Sequence, residues 1–276
     1  MSPVELRRIC ERAYAAFHRP RYISPDPLEI VREYDSPADR EVVGLIASSL
    51  ALGRVNAILA AVRRVLVRLA PGGASPAAAL EKRTESEVLR VSDGFRYRFF
   101  DADQLAGLLL GIREVLRSFG SVERCFATGL TAAGGRDGLL AGLEALVRAV
   151  VEGSNGRLDR SILLPRIDRR SACKRLLLYA RWMVRRDEID PGGWSCIGPE
   201  ALLVPVDAHV LTVARRLGLT TRKQATLAVT RGITDAMRAI APGDPVRYDF
   251  ALTRPGIHPM LDETAWLDSA VGPRSA

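Results

Sequence analysis

Leu202-Leu203-Val204-Pro205-Val206-Asp207-Ala208-His209 leads into Val210 to Leu217 and halts at Gly218. Val210, Val213, Ala214 and Leu217 recur at i, i+3, i+4 and i+7, which buries one face of a helix. Asp207 stands just before that pattern, at the N-cap position, where a carboxylate accepts a backbone N–H of the first turn. A helix therefore begins here, and its carboxylate faces whatever lies in front of the helix mouth. Capping is one reading of Asp207, and chemistry in front of the helix is the other.

The helical period continues on both sides. Ser36-Pro37 opens a helix by the N-cap and proline-first rule. Asp39 to Leu52 follows, with Val42, Leu45, Ile46 and Ser49 on one stripe and Gly53 as the stop. Asn56 to Leu69 reads as a second helix, ending before Pro71-Gly72-Gly73. A shorter pattern covers Val4 to Phe17, then Pro20, Pro25 and Pro27 break an extended stretch. The block from Ala74 to Gly156 reads as several helices with loops at Gly94, Gly120 and Gly134-Gly135. Alternation of β-branched residues never lasts more than a few positions. The expected fold class is all-α.

With 276 residues, 47% of them hydrophobic, the chain suits one large or two small domains. No apolar run approaches the about 18 residues of a membrane span, and Met1 to Arg12 lacks the apolar stretch of a signal peptide. Cys10, Cys125, Cys173 and Cys196 lie far apart, as reduced thiols of a cytoplasmic protein do. No histidine, cysteine or carboxylate group has metal-ligand spacing, so neither metal nor cofactor is expected. A formal charge of +8 and a pI near 9.8 favour a polyanionic partner. Of the 40 basic residues only Lys82, Lys174 and Lys223 are lysines. Lysine can shed its proton and form a Schiff base, which arginine effectively cannot, so a lysine kept in this background points to an amine's chemistry, with chance survival of a lysine as the alternative.

Arg166 to Arg186 concentrates charge: Arg166, Arg169, Arg170, Lys174, Arg175, Arg181, Arg185 and Arg186 face the single acid Asp168. Ser171 is the expected N-cap of a helix with Lys174 at its third position. An arginine-rich helix entry suits backbone phosphates, whereas a solvated charged face is the plainer alternative.

Val43 to Ala51, Leu164 to Asp168 with Ser171 to Lys174, and Val206-Asp207-Ala208-His209 fall in the order found in the helix-hairpin-helix DNA glycosylases, the endonuclease III and 8-oxoguanine glycosylase superfamily, which this chain resembles. The strings Asp39-Arg40-Glu41, Cys173-Lys174-Arg175, Arg181-Trp182-Met183-Val184-Arg185 and Tyr248-Asp249-Phe250 are closer to an uncharacterised bacterial family, a distant branch of that superfamily. The resemblance implies a two-lobed fold: a six-helix-barrel lobe over 36–186 with a degenerate hairpin, and a second lobe from 1–35 and 187–276. The hairpin glycines are absent between Pro165 and Ser171. Lys174 and Asp207 lie 33 positions apart, a spacing closer to the archaeal 8-oxoguanine glycosylases.

By that resemblance the protein is a base-excision glycosylase with AP-lyase activity, acting on double-stranded DNA with a damaged base, with no membrane and no obligate protein partner. Lys174 would be the nucleophile and Asp207 the stabiliser of the C1′ cation. Arg54, Arg166, Arg169, Arg170 and Arg175 would contact DNA. Tyr179, Trp182, Trp194 and His209 are candidates for the base pocket, although aromatic residues on helices more often fill a core. The implied location is the cytoplasm, in association with the nucleoid. The alternatives are a non-catalytic nucleic-acid-binding protein on the same scaffold, and an enzyme acting on RNA or a free nucleoside.

Overall fold

A computed structural model describes residues 1–130, 135–167 and 171–271. Among these residues the chain forms fourteen α-helices and one short hairpin. In order they are α1 (Pro3–Phe17), α2 (Leu28–Val31), α3 (Pro37–Leu50), α4 (Val55–Leu69), α5 (Pro76–Lys82) and α6 (Glu85–Ser92). Then come β1 (Arg96–Tyr97), β2 (Phe100–Asp101), α7 (Ala102–Phe119), α8 (Val122–Ala127), α9 (Gly135–Glu152) and α10 (Lys174–Val184). The last are α11 (Ala208–Arg216), α12 (Leu227–Ile240), α13 (Asp249–Ile257) and α14 (Glu263–Val271). The all-α expectation holds, with the two-residue strands β1 and β2 as the exception. No helix among the described residues is long and apolar enough to cross a membrane.

Helix α3 is the axis of the packing. Its sequence suggests a single buried stripe, yet every residue from Glu41 to Leu50 is buried, because α2, α4, α5, α8 and α10 all pack on it. Gly44 permits the approach of α10: a Cβ there would lie 3.1 Å from the Met183 side chain and 3.2 Å from the Tyr179 ring. Two buried carboxylates on α3 fasten the surrounding helices. Asp39 Oδ1 accepts from Ser75 Oγ and the Ala77 N–H at the start of α5. Glu41 accepts from the Val122 and Glu123 N–H groups at the start of α8. Both thus satisfy helix-start N–H groups, which gives the string Asp39-Arg40-Glu41 a structural role.

Helix α7 packs on α5, α6, α8 and α9, while α13 packs on α1, α11 and α14, and α12 on α1. The stretch before residue 36 contributes to both sets, since α2 lies on α3 and α1 on α12 and α13.

A buried ionic cluster knits these sets together. Arg181 Nη2 and Arg185 Nη1 both pair with Asp190 Oδ2. Arg185 also reaches Asp187 at 2.8 Å and Asp244 at 2.9 Å, and His18 from beyond the end of α1 meets Asp187 at 3.0 Å. Arg181 and Arg185, which the sequence placed in a cluster suited to phosphates or to a solvated face, are thus internal cations with acids in hand. Burying them so deeply without those partners would cost several kcal/mol apiece, on the order of 3–5 kcal/mol.

Candidate active site

Two helix starts converge on one cavity. Helix α10 begins at Lys174 after Cys173, whose φ of 49° marks a left-handed cap. Ser171 is therefore not the N-cap: its Oγ accepts from the Cys173 N–H at 3.2 Å, and Lys174 is the first helical residue, not the third. Helix α11 begins after Asp207, which caps it as the sequence indicates, its Oδ1 accepting from the Val210 N–H at 2.9 Å. The second oxygen of the same carboxylate, Oδ2, lies 2.9 Å from Lys174 Nζ. One carboxylate thus performs both roles left open by the sequence: it caps a helix and faces an amine.

The side chains of Lys174 and Asp207 remain 35% and 23% exposed, respectively, because they line a cavity of about 900 Å³. Burial raises the Asp207 pKa, but Lys174, the Val210 N–H and nearby His209 outweigh it and hold the carboxyl below its ordinary value. A fixed negative charge thus faces the cavity at neutral pH.

The rest of the wall comes from three places. The turn Leu52-Gly53-Arg54 between α3 and α4 forms one rim, and Pro165-Arg166 forms another. Deeper in lie Trp182, Arg181, Asp249, Phe250 and Arg254, with Asp26 from the loop before α2. Asp249, 9% exposed, pairs with Arg181 Nε at 3.3 Å. Its burial, reinforced by neighbouring Asp190 and opposed by Arg181, lifts its pKa to about 6. Arg254 pairs with Asp26 at 3.0 Å, and its guanidinium lies 4.3 Å from the centre of the Phe250 ring. Of this lining the sequence singled out Trp182 as a pocket candidate, placed Arg181 in the charged cluster and quoted Asp249 and Phe250 only within a string, while Arg254 and Asp26 went unmarked.

The sequence-derived residues divide. Lys174 and Asp207 come together, and His209 lies exposed in the same cavity. Trp182 borders the cavity from a fully buried position. Arg54 and Arg166 are exposed on its rim. Tyr179 and Trp194 are core: Tyr179 Oη donates to the Glu41 carbonyl, Trp194 Nε1 donates to Glu41 Oε1 at 2.7 Å, and the rings meet edge to face. Neither lines the cavity, so neither serves a base pocket.

Arg175 also departs from expectation. Its guanidinium turns inward and donates to the carbonyls of Ser49, Ile162 and Leu163, a clamp between α3 and the segment before α10. Burial pushes its pKa down to about 10. It lines the cavity from this clamp, with its donors already committed to protein carbonyls. Arg169 and Arg170 lie outside the described residues, as does part of the degenerate hairpin.

These features define a helical protein with a lysine–aspartate pair in a deep, mixed-charge cavity. The family described as "Protein of unknown function (DUF2400)" matches residues 26–258, and the chain belongs to it. No curated protein and no solved structure matches the chain.

Proposed function

We propose that this protein is a DNA glycosylase with AP-lyase activity, built on a two-lobed helix-hairpin-helix glycosylase fold and working at the nucleoid in the cytoplasm. The observation that supports it most is the 2.9 Å approach of Lys174 Nζ to Asp207 Oδ2 inside an open cavity. The cavity exceeds what two side chains need and lies within the 300–1,000 Å³ range, roughly, of small-ligand sites, which accommodates a nucleotide turned out of a duplex.

In this reading the extruded sugar enters between the two side chains and opens their ion pair. As the glycosidic bond breaks, its electron pair leaves with the base and C1′ becomes positive, opposite the Asp207 carboxylate. The Lys174 ammonium passes a proton to the departing base, and the freed amine donates its lone pair to C1′. The bond from C1′ to the ring oxygen then breaks with its electron pair on the oxygen, which takes a proton from the nitrogen and leaves a protonated imine. Removal of a C2′ proton from that imine and departure of the 3′ phosphate cleave the strand. The two helix starts assist by placing positive N-terminal dipole ends near the phosphates.

The test is borohydride trapping with oligonucleotides carrying oxidised, deaminated or alkylated bases or an abasic site. A covalent complex with at least one of them is the expected result. Salt-dependent binding with no complex on any probe would instead favour the non-catalytic reading, in which Lys174–Asp207 is a structural ion pair.

A further inference from the structure

Phe95-Arg96-Tyr97-Arg98-Phe99-Phe100 alternates aromatic and basic residues, and the fold sorts them. Phe95, Tyr97 and Phe100 are buried, while Arg96, Arg98 and Phe99 face solvent. Tyr97 pairs with Phe100 across the hairpin, so Arg98 and Phe99 are its two-residue tip. Arg98 has a φ of 52°, a left-handed conformation that hairpin turns ordinarily give to glycine or asparagine. Such an arginine persists only where its surroundings fix it.

Those surroundings are the cavity rim. Tyr97 Oη donates to the Leu52 carbonyl at 2.8 Å, and Arg64 Nη2 donates to the Arg96 carbonyl at 3.0 Å. The Arg98 side chain lies over Gly53, where a Cβ would sit 2.5 Å from Nη1. Leu52, Gly53 and Arg54 line the cavity, so the hairpin is fastened to its mouth. Phe99 is nevertheless 68% exposed, with the Arg98 guanidinium 5.5 Å from its ring centre. Arg96 and Arg98 are exposed on the hairpin, Arg64 is exposed where it holds the Arg96 carbonyl, and Arg54 is exposed on the adjoining rim. Of the nearby acids, Asp101 is engaged in capping α7, and Asp93 is exposed.

We propose that this hairpin is a nucleic-acid contact in which Phe99 stacks on an unpaired base next to the cavity and the surrounding arginines hold flanking phosphates. A single ring among arginines lacks the apolar core of a protein-docking surface but matches the aromatic platforms that bind unstacked bases on a basic track. The proposal rests on the nucleic-acid half of the proposed function and not on the chemistry of Lys174. It adds a substrate class: DNA with local single-stranded character is preferred over fully paired duplex.

The test is fluorescence anisotropy of the full chain with three probes of equal length: a paired duplex, a duplex with a short internal bubble, and a single strand. Wild type is expected to favour the bubble and the single strand. Phe99→Ala, an exposed change checked by thermal melting, is expected to lose about tenfold on those two probes while keeping the salt dependence. Phe99→Trp should keep the preference and show added fluorescence quenching on binding. Equal affinities for wild type and Phe99→Ala on all three probes would overturn the hairpin assignment and leave the glycosylase reading standing. Failure of wild type to bind any probe would overturn both. A Phe99-dependent preference without imine trapping would sink only the glycosylase reading.

Discussion

The amine of Lys174 lies 2.9 Å from Asp207 Oδ2 although the two residues are 33 positions apart. Lys174→Arg keeps a cation against the carboxylate but removes the amine that the proposed function uses as nucleophile. Imine trapping should disappear while affinity for DNA stays nearly unchanged, as measured by gel-resolved borohydride adducts beside anisotropy. Asp207→Asn keeps an N-cap and removes the charge that the proposed function sets opposite C1′, so base release should slow by about 10²- to 10³-fold. Trapping by Lys174→Arg at the wild-type level would remove this lysine from the chemistry.

Asp249 makes the fold sensitive to mild acid in a direction opposite to most carboxylates. Its pKa is about 6 in the folded chain against 3.8 as the ordinary value, so between these values the native state holds more protons than the unfolded one. The stability it contributes is fully present below its unfolded pKa and is lost as pH rises through 6. Thermal melts should therefore show a component that falls between pH 4 and 7 in wild type. Asp249→Asn should lack that component, and an unchanged pH profile would contradict the buried protonation.

Arg175, Arg54 and Arg166 should separate cleanly by salt. Arg175→Ala leaves the carbonyls of Ser49, Ile162 and Leu163 without their donor and should cost about 1–3 kcal/mol of stability in urea titrations. Arg54→Ala and Arg166→Ala should leave stability alone and lower the slope of log affinity against log salt by up to about one unit each. A wild-type melting curve for Arg175→Ala would refute the clamp.

Trp194→Phe removes the indole N–H that Glu41 accepts within the core. Glu41 is raised in pKa by burial and held down by this bond and by two backbone N–H groups, so the variant should lose about 1–3 kcal/mol. Its trapping yield per folded molecule should equal wild type. A selective loss of activity at full stability would return Trp194 to the functional site.

The helix starting at Asp207 was readable because a cap and a 3.6-residue period are local features. So was the candidacy of Lys174, as a lysine among arginines. Which way an arginine points is not local: Arg181 and Arg185 turn inward because Asp190, Asp244 and Asp249 meet them there. Arg175 turns inward to carbonyls of two distant segments. Tyr179 and Trp194 went to the core because a third residue, Glu41, satisfies their polar atoms. The hairpin at Arg96–Asp101 escaped notice because two-residue strands are too short to show a period. Asp249 was quoted only as part of a string, since nothing in its neighbours signals a cavity.

The tie between His18 and Asp187 bears on how this protein can be dissected. Residues 26–258 carry the family match, and cutting there would look natural. It would remove α1, which covers α13 and α12, and α14, which covers α13 and α11. Asp187 would lose the imidazole seated on it, and one end of the Arg185 cluster would open to water. The matched segment thus leans on helices outside it: a fragment trimmed to it should aggregate or melt early, and any inactivity it showed would reflect lost scaffolding and not lost chemistry.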